Sequence, residues 1–155
     1  MTEQKDTAGI IAPPPLIYFG FLILGLVINF IAPISFLPPS ATLIVGIPLI
    51  FLGFVFGALA FVTMARAETS PDPWEPTKAI VTTGPFGSTR NPIYVSFTLI
   101  YLGVAAAMNA LAALVLLPIA LLIVHYGVIL REEKYLERRF GEEYLRYRGQ
   151  VRRWI

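Results

Sequence analysis

The chain has 155 residues, of which 56% are hydrophobic and only 14% are charged, and its formal net charge is +2. Soluble domains carry roughly 25% charged residues, so the composition excludes an ordinary water-soluble domain. The absence of cysteine excludes a disulfide framework, a thiolate nucleophile and a thiolate metal site. The length suits a single domain, which we predict to comprise residues 1–155.

Uncharged residues occur in three long blocks. Residues 16–37 and 41–65 form blocks of 22 and 25 residues, and each can cross a hydrocarbon core of about 30 Å as a helix. Residues 93–130 form a block of 38, which would reach about 57 Å as one helix and is too long for a single crossing. We therefore predict a turn at Met108-Asn109. The predicted spans are residues 16–37, 41–65, 93–108 and 110–130.

Charged residues mark one end of this predicted bundle. Outside the N-terminal tail they lie in residues 66–90 and 131–153, whereas the two other connections between spans carry none. Four spans put both charged segments at one membrane surface and both uncharged connections at the other. Because cytoplasmic segments are enriched in Lys and Arg, we predict that the charged surface and both termini are cytoplasmic.

The connection at residues 66–91 is long, and its prolines favour an extended, stiff chain. It ends in Arg90-Asn91-Pro92, directly before the third span. Asn91 is typical of an N-cap and Pro92 of a first helical turn, so these residues can simply start the helix, with Arg90 extending to lipid headgroups. Alternatively, Arg90 and the positive end of the helix dipole hold a carboxylate or a phosphate. The sequence leaves both interpretations open.

Residues 131–155 are predicted to form an amphipathic helix. Its apolar stripe consists of Leu136, Phe140, Tyr144, Tyr147 and Val151. Such a helix can lie on anionic lipid. Glu132 and Glu133 argue against this, because two acids at the end of a span oppose both the helix dipole and an anionic surface, and they predict a binding partner. The predicted fold is an all-α integral membrane protein with about four transmembrane helices, a cytoplasmic loop and a C-terminal amphipathic helix.

His125 is the only histidine, and it lies within the fourth predicted span, seven residues before Glu132. On a regular α-helix this spacing places both side chains on one face. An ionisable group inside a membrane span is a functional candidate, and a hydrogen bond to a neighbouring helix is an equally good interpretation. A single histidine predicts no metal site.

Two sequence blocks carry a family resemblance. "PTKAIVTTGPFGSTRNPIY" precedes the predicted apolar hairpin and "REEKYLERRFGEEYLRYRGQVRRWI" follows it. Together they resemble the superfamily of isoprenylcysteine carboxyl methyltransferases and phospholipid N-methyltransferases, which are integral-membrane enzymes that use S-adenosylmethionine. The resemblance covers residues 76–155. It departs at Gly87, where arginine is usual, and at Asn91, where histidine is common; asparagine hydrogen-bonds but takes no proton near pH 7.

The resemblance implies methyl transfer from S-adenosylmethionine to a lipophilic or small acceptor. The cofactor-binding residues that it implies are Arg90, Asn91, Pro92, Tyr94, Glu132, Glu133 and Tyr144. His125 joins this set as the ionisable group of the fourth span. Tyr147 and Arg148 match tail positions that close over the cofactor or orient the substrate, and we take them as the catalytic candidates. We expect the acceptor and membrane lipid as partners, and no nucleic acid.

Three functions remain compatible with the sequence. We favour an enzyme that is similar to the isoprenylcysteine carboxyl methyltransferases. The alternatives are a phospholipid N-methyltransferase and a non-catalytic protein of the same fold that binds lipid or acts as a scaffold. The pair Glu132-Glu133 favours an enzyme, whereas Gly87 and Asn91 leave the scaffold open. The acceptor atom (oxygen, nitrogen or sulfur) and the oligomeric state are open as well.

Overall fold

A computed structural model describes residues 7–72 and 74–155, and we number its α-helices in chain order. The helices are α1 (Pro14–Ile31), α2 (Thr42–Arg66), α3 (Pro92–Ala107), α4 (Leu111–Val124), α5 (Leu130–Phe140) and α6 (Glu142–Gln150). A 3-10 turn at Gly84–Gly87 precedes α3, and a π-helical turn at His125–Ile129 joins α4 to α5 without a break. The described residues contain no strand, which confirms the predicted all-α fold.

Among the described residues, three helical segments are long and apolar enough to cross a membrane. They are α1, α2 and the continuous helix Leu111–Phe140, with mean hydropathies of 2.1, 2.6 and 2.6. The fourth apolar helix, α3, has 16 residues, which rise about 24 Å and fall short of a typical hydrocarbon core. Large apolar side chains such as Phe30 and Phe51 are 89% and 65% exposed, as expected for a surface that faces lipid.

The first helix is shorter than the predicted span. It ends at Ile31, whereas the span was predicted to continue to Leu37. Ala32 has φ −132° and ψ 81°, because a following proline, here Pro33, disfavours the helical conformation of the residue before it. The helix ends before the predicted span does because hydropathy does not detect this restriction.

The helices pack as two pairs, α1 with α4 and α2 with α3. In the second pair the two backbones touch at glycines: a Cβ atom at Gly46 would lie 2.7 Å from the carbonyl oxygen of Gly103, and one at Gly103 would lie 2.8 Å from that of Gly46. Small residues permit this approach, which brings helices together where lipid is as apolar as the side chains. The pairing sets the position of the start of α3 relative to the end of α2.

The charged and uncharged connections lie at opposite ends of the bundle. Asn109 Oδ1 accepts hydrogen bonds from the backbone N–H groups of Phe36 and Leu37 at 3.0 and 2.9 Å, which joins the two uncharged connections. At the other end, the N–H of Thr77 donates to the hydroxyl of Tyr135 at 3.1 Å. Both charged segments therefore meet at one end of the molecule. Their cytoplasmic orientation stays a prediction from the charge distribution.

The C-terminal region is divided into two helices rather than one. Gly141 separates α5 from α6 with φ 52° and ψ −124°, a conformation that favours glycine. The chain then folds back, and Tyr144 and Tyr147 of the predicted apolar stripe are 2% and 7% exposed. This part of the stripe packs against the protein and not against lipid.

Candidate functional site

The structure places Asn91 at the N-cap of α3, directly before Pro92. The predicted N-cap position of Asn91 is confirmed, but its side chain makes no capping hydrogen bond. The amide Nδ2 of Asn91 instead donates to the backbone carbonyl of Arg153 at 2.9 Å. An N-cap side chain normally accepts a hydrogen bond from a backbone N–H group in the first turn of its own helix. Here the side-chain amide of Asn91 is bound to the C-terminal segment instead.

Arg152 and Arg153, which we call the C-terminal strap, lie across the start of α3. The backbone N–H of Arg90 donates to the carbonyl of Arg152 at 2.9 Å. The buried hydroxyl of Thr89 donates to the carbonyl of Arg153, also at 2.9 Å. Together with the Asn91 amide, these bonds hold the strap through its backbone atoms. The strap and the start of α3 therefore form one packed unit.

Glu133 binds two arginine side chains at once. Arg153 makes a two-pronged contact, with Nε 2.7 Å from Oε1 and Nη2 2.8 Å from Oε2. Arg90 Nη1 lies 3.1 Å from the same Oε1, and the side chains of Arg90 and Glu133 are only 9% and 10% exposed. Arg90 Nη1 also donates to the Tyr144 hydroxyl at 3.2 Å. Buried ion pairs persist when hydrogen bonds satisfy the remaining polar atoms, but Arg90 Nε is buried without a partner among the described residues.

Glu132 has a different environment from its neighbour. The hydroxyl of Tyr94 donates to Glu132 Oε1 at 2.7 Å, a normal length for a hydrogen bond from a hydroxyl. Tyr94 is anchored at its own carbonyl, which accepts from the hydroxyl of Tyr18 at 3.3 Å. Within residues 7–72 and 74–155, Tyr94 is the hydrogen-bond partner that the structure gives Glu132. One carboxylate oxygen is thus fixed, and the structure gives the other no hydrogen-bond partner among the described residues.

A cavity of about 150 Å³ lies beside Arg90 and Glu132, whereas Glu133, Tyr144 and Arg153 do not line it. Of the residues that the sequence predicted, it is lined by Arg90, Asn91, Pro92, Tyr94, Glu132 and Tyr147. The charged connection between α2 and α3 closes the other side and contributes Asp72 and Glu75. The described wall therefore contains three acids and one arginine, whose charge Glu133 partly balances. This wall is suited to a ligand that carries positive charge together with one anionic group.

Two tyrosines of α6 complete the surroundings. The Tyr144 hydroxyl lies beside Arg90 and Glu133. The pKa of this hydroxyl is raised by burial and, to a lesser extent, by the Glu133 carboxylate. Tyr147 donates to the carbonyl of Phe86 in the 3-10 turn at 2.7 Å, and burial raises the pKa of its hydroxyl as well. Both hydroxyls are therefore neutral hydrogen-bonding groups near pH 7. The catalytic role of Tyr147 stays a prediction.

The structure does not bring His125 and Arg148 to this cavity. His125 lies in a separate apolar groove between α3 and α4. Arg148 pairs with Glu137 at 3.2 Å, and both side chains are nearly half exposed. The π turn at His125–Ile129 explains the first case, because its wider hydrogen-bonding pattern changes the direction of every later side chain. His125 and Glu132 consequently do not share a face, contrary to the prediction.

Sequence reasoning missed three contributors to the site. Arg153 was not singled out, although a buried acid such as Glu133 requires cations and the Arg-Arg pair near the C-terminus supplies one. Asp72 and Glu75 belong to a segment that was interpreted as stiff but not as a cavity wall. The only sequence signal for them was the length of the connection, since long loops are often functional.

Comparison with known proteins agrees with this geometry. The fold and the cavity define an integral membrane protein with a polar site at one end of a helical bundle. A sequence profile of the family described as phospholipid methyltransferase matches residues 41–143, which are most of the chain. The chain therefore belongs to the phospholipid methyltransferase family, a family of membrane methyltransferases, and the predicted superfamily is confirmed.

One curated relative extends the comparison. An uncharacterized protein of Haemophilus influenzae is 44% identical over 63 residues, which are 41% of this chain and the whole of that protein. No solved structure matches the chain.

Proposed function

We propose that this protein is an S-adenosylmethionine-dependent methyltransferase whose cofactor binds in the cavity between α3, α5 and the charged connection. The observation that carries the proposal is the placement of Glu132 and Arg90 on the wall of one cavity. The amino-acid end of the cofactor has an ammonium group and a carboxylate. A carboxylate oriented by a tyrosine and a buried guanidinium are complementary to these two groups.

The chemistry of the residues fits this cofactor. Arg90 Nε is a buried donor that no described residue uses, and an anionic ligand group would supply the missing acceptor. Tyr94 holds one oxygen of Glu132 and thereby orients the carboxylate. When bound, the cofactor supplies an electrophilic methyl group on a sulfonium centre. The protein residues bind and orient the cofactor and exclude water from the site, which are the contributions that such a transfer requires.

The size of the cavity implies movement of its wall. Its volume of about 150 Å³ is smaller than the roughly 300–1,000 Å³ of typical ligand pockets. We expect the part of residues 77–81 that lines the cavity (Thr77, Ala79, Ile80 and Val81) to shift outwards when the whole cofactor binds. The start of α3 is expected to stay in place because the C-terminal strap holds it.

The acids of the cavity favour an amine acceptor over a carboxylate acceptor. Asp72, Glu75 and Glu132 line the cavity, and a carboxylate substrate would be repelled by them. An amine headgroup is attracted by the same charges, and a nearby carboxylate can accept the proton that the amine loses on methylation. We therefore place phospholipid N-methylation ahead of the carboxyl methylation that the sequence favoured. The acceptor approaches from the membrane, at the charged end of the bundle, which we assign to the cytoplasmic side.

The test is methyl transfer with purified protein in lipid vesicles and methyl-labelled cofactor. One vesicle preparation contains a phospholipid with a primary amine headgroup, and a second contains a prenylated cysteine with a free carboxylate. We expect label in the amine lipid and a loss of about 10-fold or more in the Glu132→Gln variant. The matched control is Glu143→Gln, an exposed acid on α6. Label in the prenylated cysteine alone would favour the carboxyl methyltransferase, and absence of both cofactor binding and label would favour the non-catalytic scaffold.

A further inference from the structure

Arg153 and Arg90 compete for the same carboxylate. Arg153 occupies both oxygens of Glu133, at 2.7 and 2.8 Å, whereas the contact of Arg90 with Glu133 joins Nη1 to Oε1 at 3.1 Å. We propose that Arg153 is a positioning residue: by occupying Glu133 it restricts Arg90 to a single contact and reserves the rest of the Arg90 guanidinium for an anionic ligand group. This inference rests on the proposed function, in which that group is the cofactor carboxylate.

The unused donor of Arg90 is the structural basis of this proposal. A guanidinium and a carboxylate normally pair through two parallel hydrogen bonds. Arg90 does not do so, and its buried Nε has no partner in the part of the chain that the structure describes. A buried donor without a partner is unfavourable. It persists here because Arg153 already fills the second oxygen of Glu133.

The charge of the cluster leads to the same conclusion. Two arginines and one glutamate carry a net charge of +1, which attracts an anion. Without the Arg153 side chain, Arg90 and Glu133 become a neutral pair. The freed Oε2 also allows Arg90 to turn and make the two-pronged contact itself. Both changes weaken the binding of an anionic group at Arg90.

The role of the Arg153 side chain is separable from that of its backbone. The strap is held through the carbonyls of Arg152 and Arg153, and these remain when a side chain is changed. Arg152→Gln is the matched control, because it removes the same charge from the adjacent residue. The Arg152 side chain is exposed and the structure gives it no ion pair or hydrogen bond within the described residues.

The first experiment compares two ligands by calorimetry on detergent-solubilised protein: S-adenosylmethionine and its decarboxylated form, which lacks the carboxylate. We expect Arg153→Gln to weaken the binding of S-adenosylmethionine about 10-fold, as for loss of a charge-assisted hydrogen bond. The affinity for the decarboxylated ligand should not change. Arg153→Lys should be intermediate because lysine reaches one oxygen only. Arg152→Gln should match the wild type. Equal weakening of both ligands, or of neither, would overturn the proposal.

The second experiment needs no ligand. The Nε–H signal of Arg90 is followed by NMR with ¹⁵N-labelled arginine and is assigned by its loss in Arg90→Gln. We expect Arg153→Gln to shift this signal as Nε gains Glu133 as acceptor, and Arg152→Gln to leave it in place. If Arg153→Gln shifts the Arg90 signal but the wild-type protein does not bind S-adenosylmethionine, the proposed function is refuted and the positioning role is supported. If the wild-type protein binds the cofactor but Arg153→Gln leaves the Arg90 signal in place, the positioning role is refuted.

Discussion

Replacing Glu132 with glutamine tests the assignment of the cavity most directly. The change keeps the size of the side chain but removes the charge that we expect to face the cofactor ammonium. The Tyr94 hydroxyl lies 2.7 Å from Glu132 Oε1, so the carboxylate is already oriented before the ligand arrives. A hydrogen bond to a charged group contributes about 1.5–3 kcal/mol, which corresponds to roughly a 10- to 100-fold loss of affinity.

A second substitution separates the charge of Glu132 from its orientation. Tyr94→Phe removes the hydroxyl, while the backbone carbonyl of Tyr94 keeps its bond from Tyr18. Because Glu132 keeps its charge and loses only its partner, we expect a smaller effect, of about 0.5–1.5 kcal/mol. In the double variant the two effects should not add, since the tyrosine can orient only a carboxylate that is present.

Calorimetry of S-adenosylmethionine binding measures all of these variants, and thermal unfolding verifies that each remains folded. Glu143→Gln serves as the control for loss of one negative charge at the same end of the molecule. The reasoning would be refuted if the folded Glu132→Gln variant bound the cofactor as tightly as the wild type. Strictly additive effects of the Tyr94 and Glu132 substitutions would refute the orienting role of Tyr94 but not the site itself.

Two further predictions concern topology and the start of α3. Single cysteines at Ser40 and Ser70 in this cysteine-free chain should react with impermeant reagents from opposite sides of the membrane, and labelling from one side would contradict the four-span arrangement. Asn91→Leu removes the 2.9 Å bond to Arg153 and should lower the free energy of unfolding by about 1 kcal/mol. Asn91→His can still donate and should be tolerated; equal unfolding temperatures for all three proteins would contradict the role given to this amide.

Much of the fold was accessible from the sequence because apolar blocks and charge positions report directly on membrane helices. The turn chemistry was less accessible. Pro33 ends α1 early, and Gly141 divides the tail, although both residues lie inside patterns that hydropathy and periodicity interpret as continuous helix. Local backbone restrictions of this kind decide where an element ends, whereas composition decides only that it exists.

The candidate site was accessible in part. Arg90, Tyr94 and Glu132 come from two blocks of sequence, and the structure places all three on one cavity. Arg153 was missed because its contact with Glu133 joins residues 20 positions apart and depends on the reversal at Gly141. Contacts made by such a reversal leave no periodic signal in the chain.

The π turn at His125–Ile129 joins α4 to α5 without a break. The number of residues in this membrane-spanning helix therefore determines the direction in which the side chains of Glu132 and Glu133 point. A π turn accommodates one extra residue in an α-helix, so removing one residue there would leave α5 facing α3. Removing one residue from the regular part of α4 would instead rotate α5 by about 100°, carrying Glu132 and Glu133 away from α3 although the apolar surface of α4 would still satisfy the membrane. Removing nearly a whole turn would recover the direction but draw both acids about 5.4 Å towards the bundle. An insertion or deletion in this helix therefore disturbs the orientation of α5 at a smaller change in length than the membrane thickness would disallow.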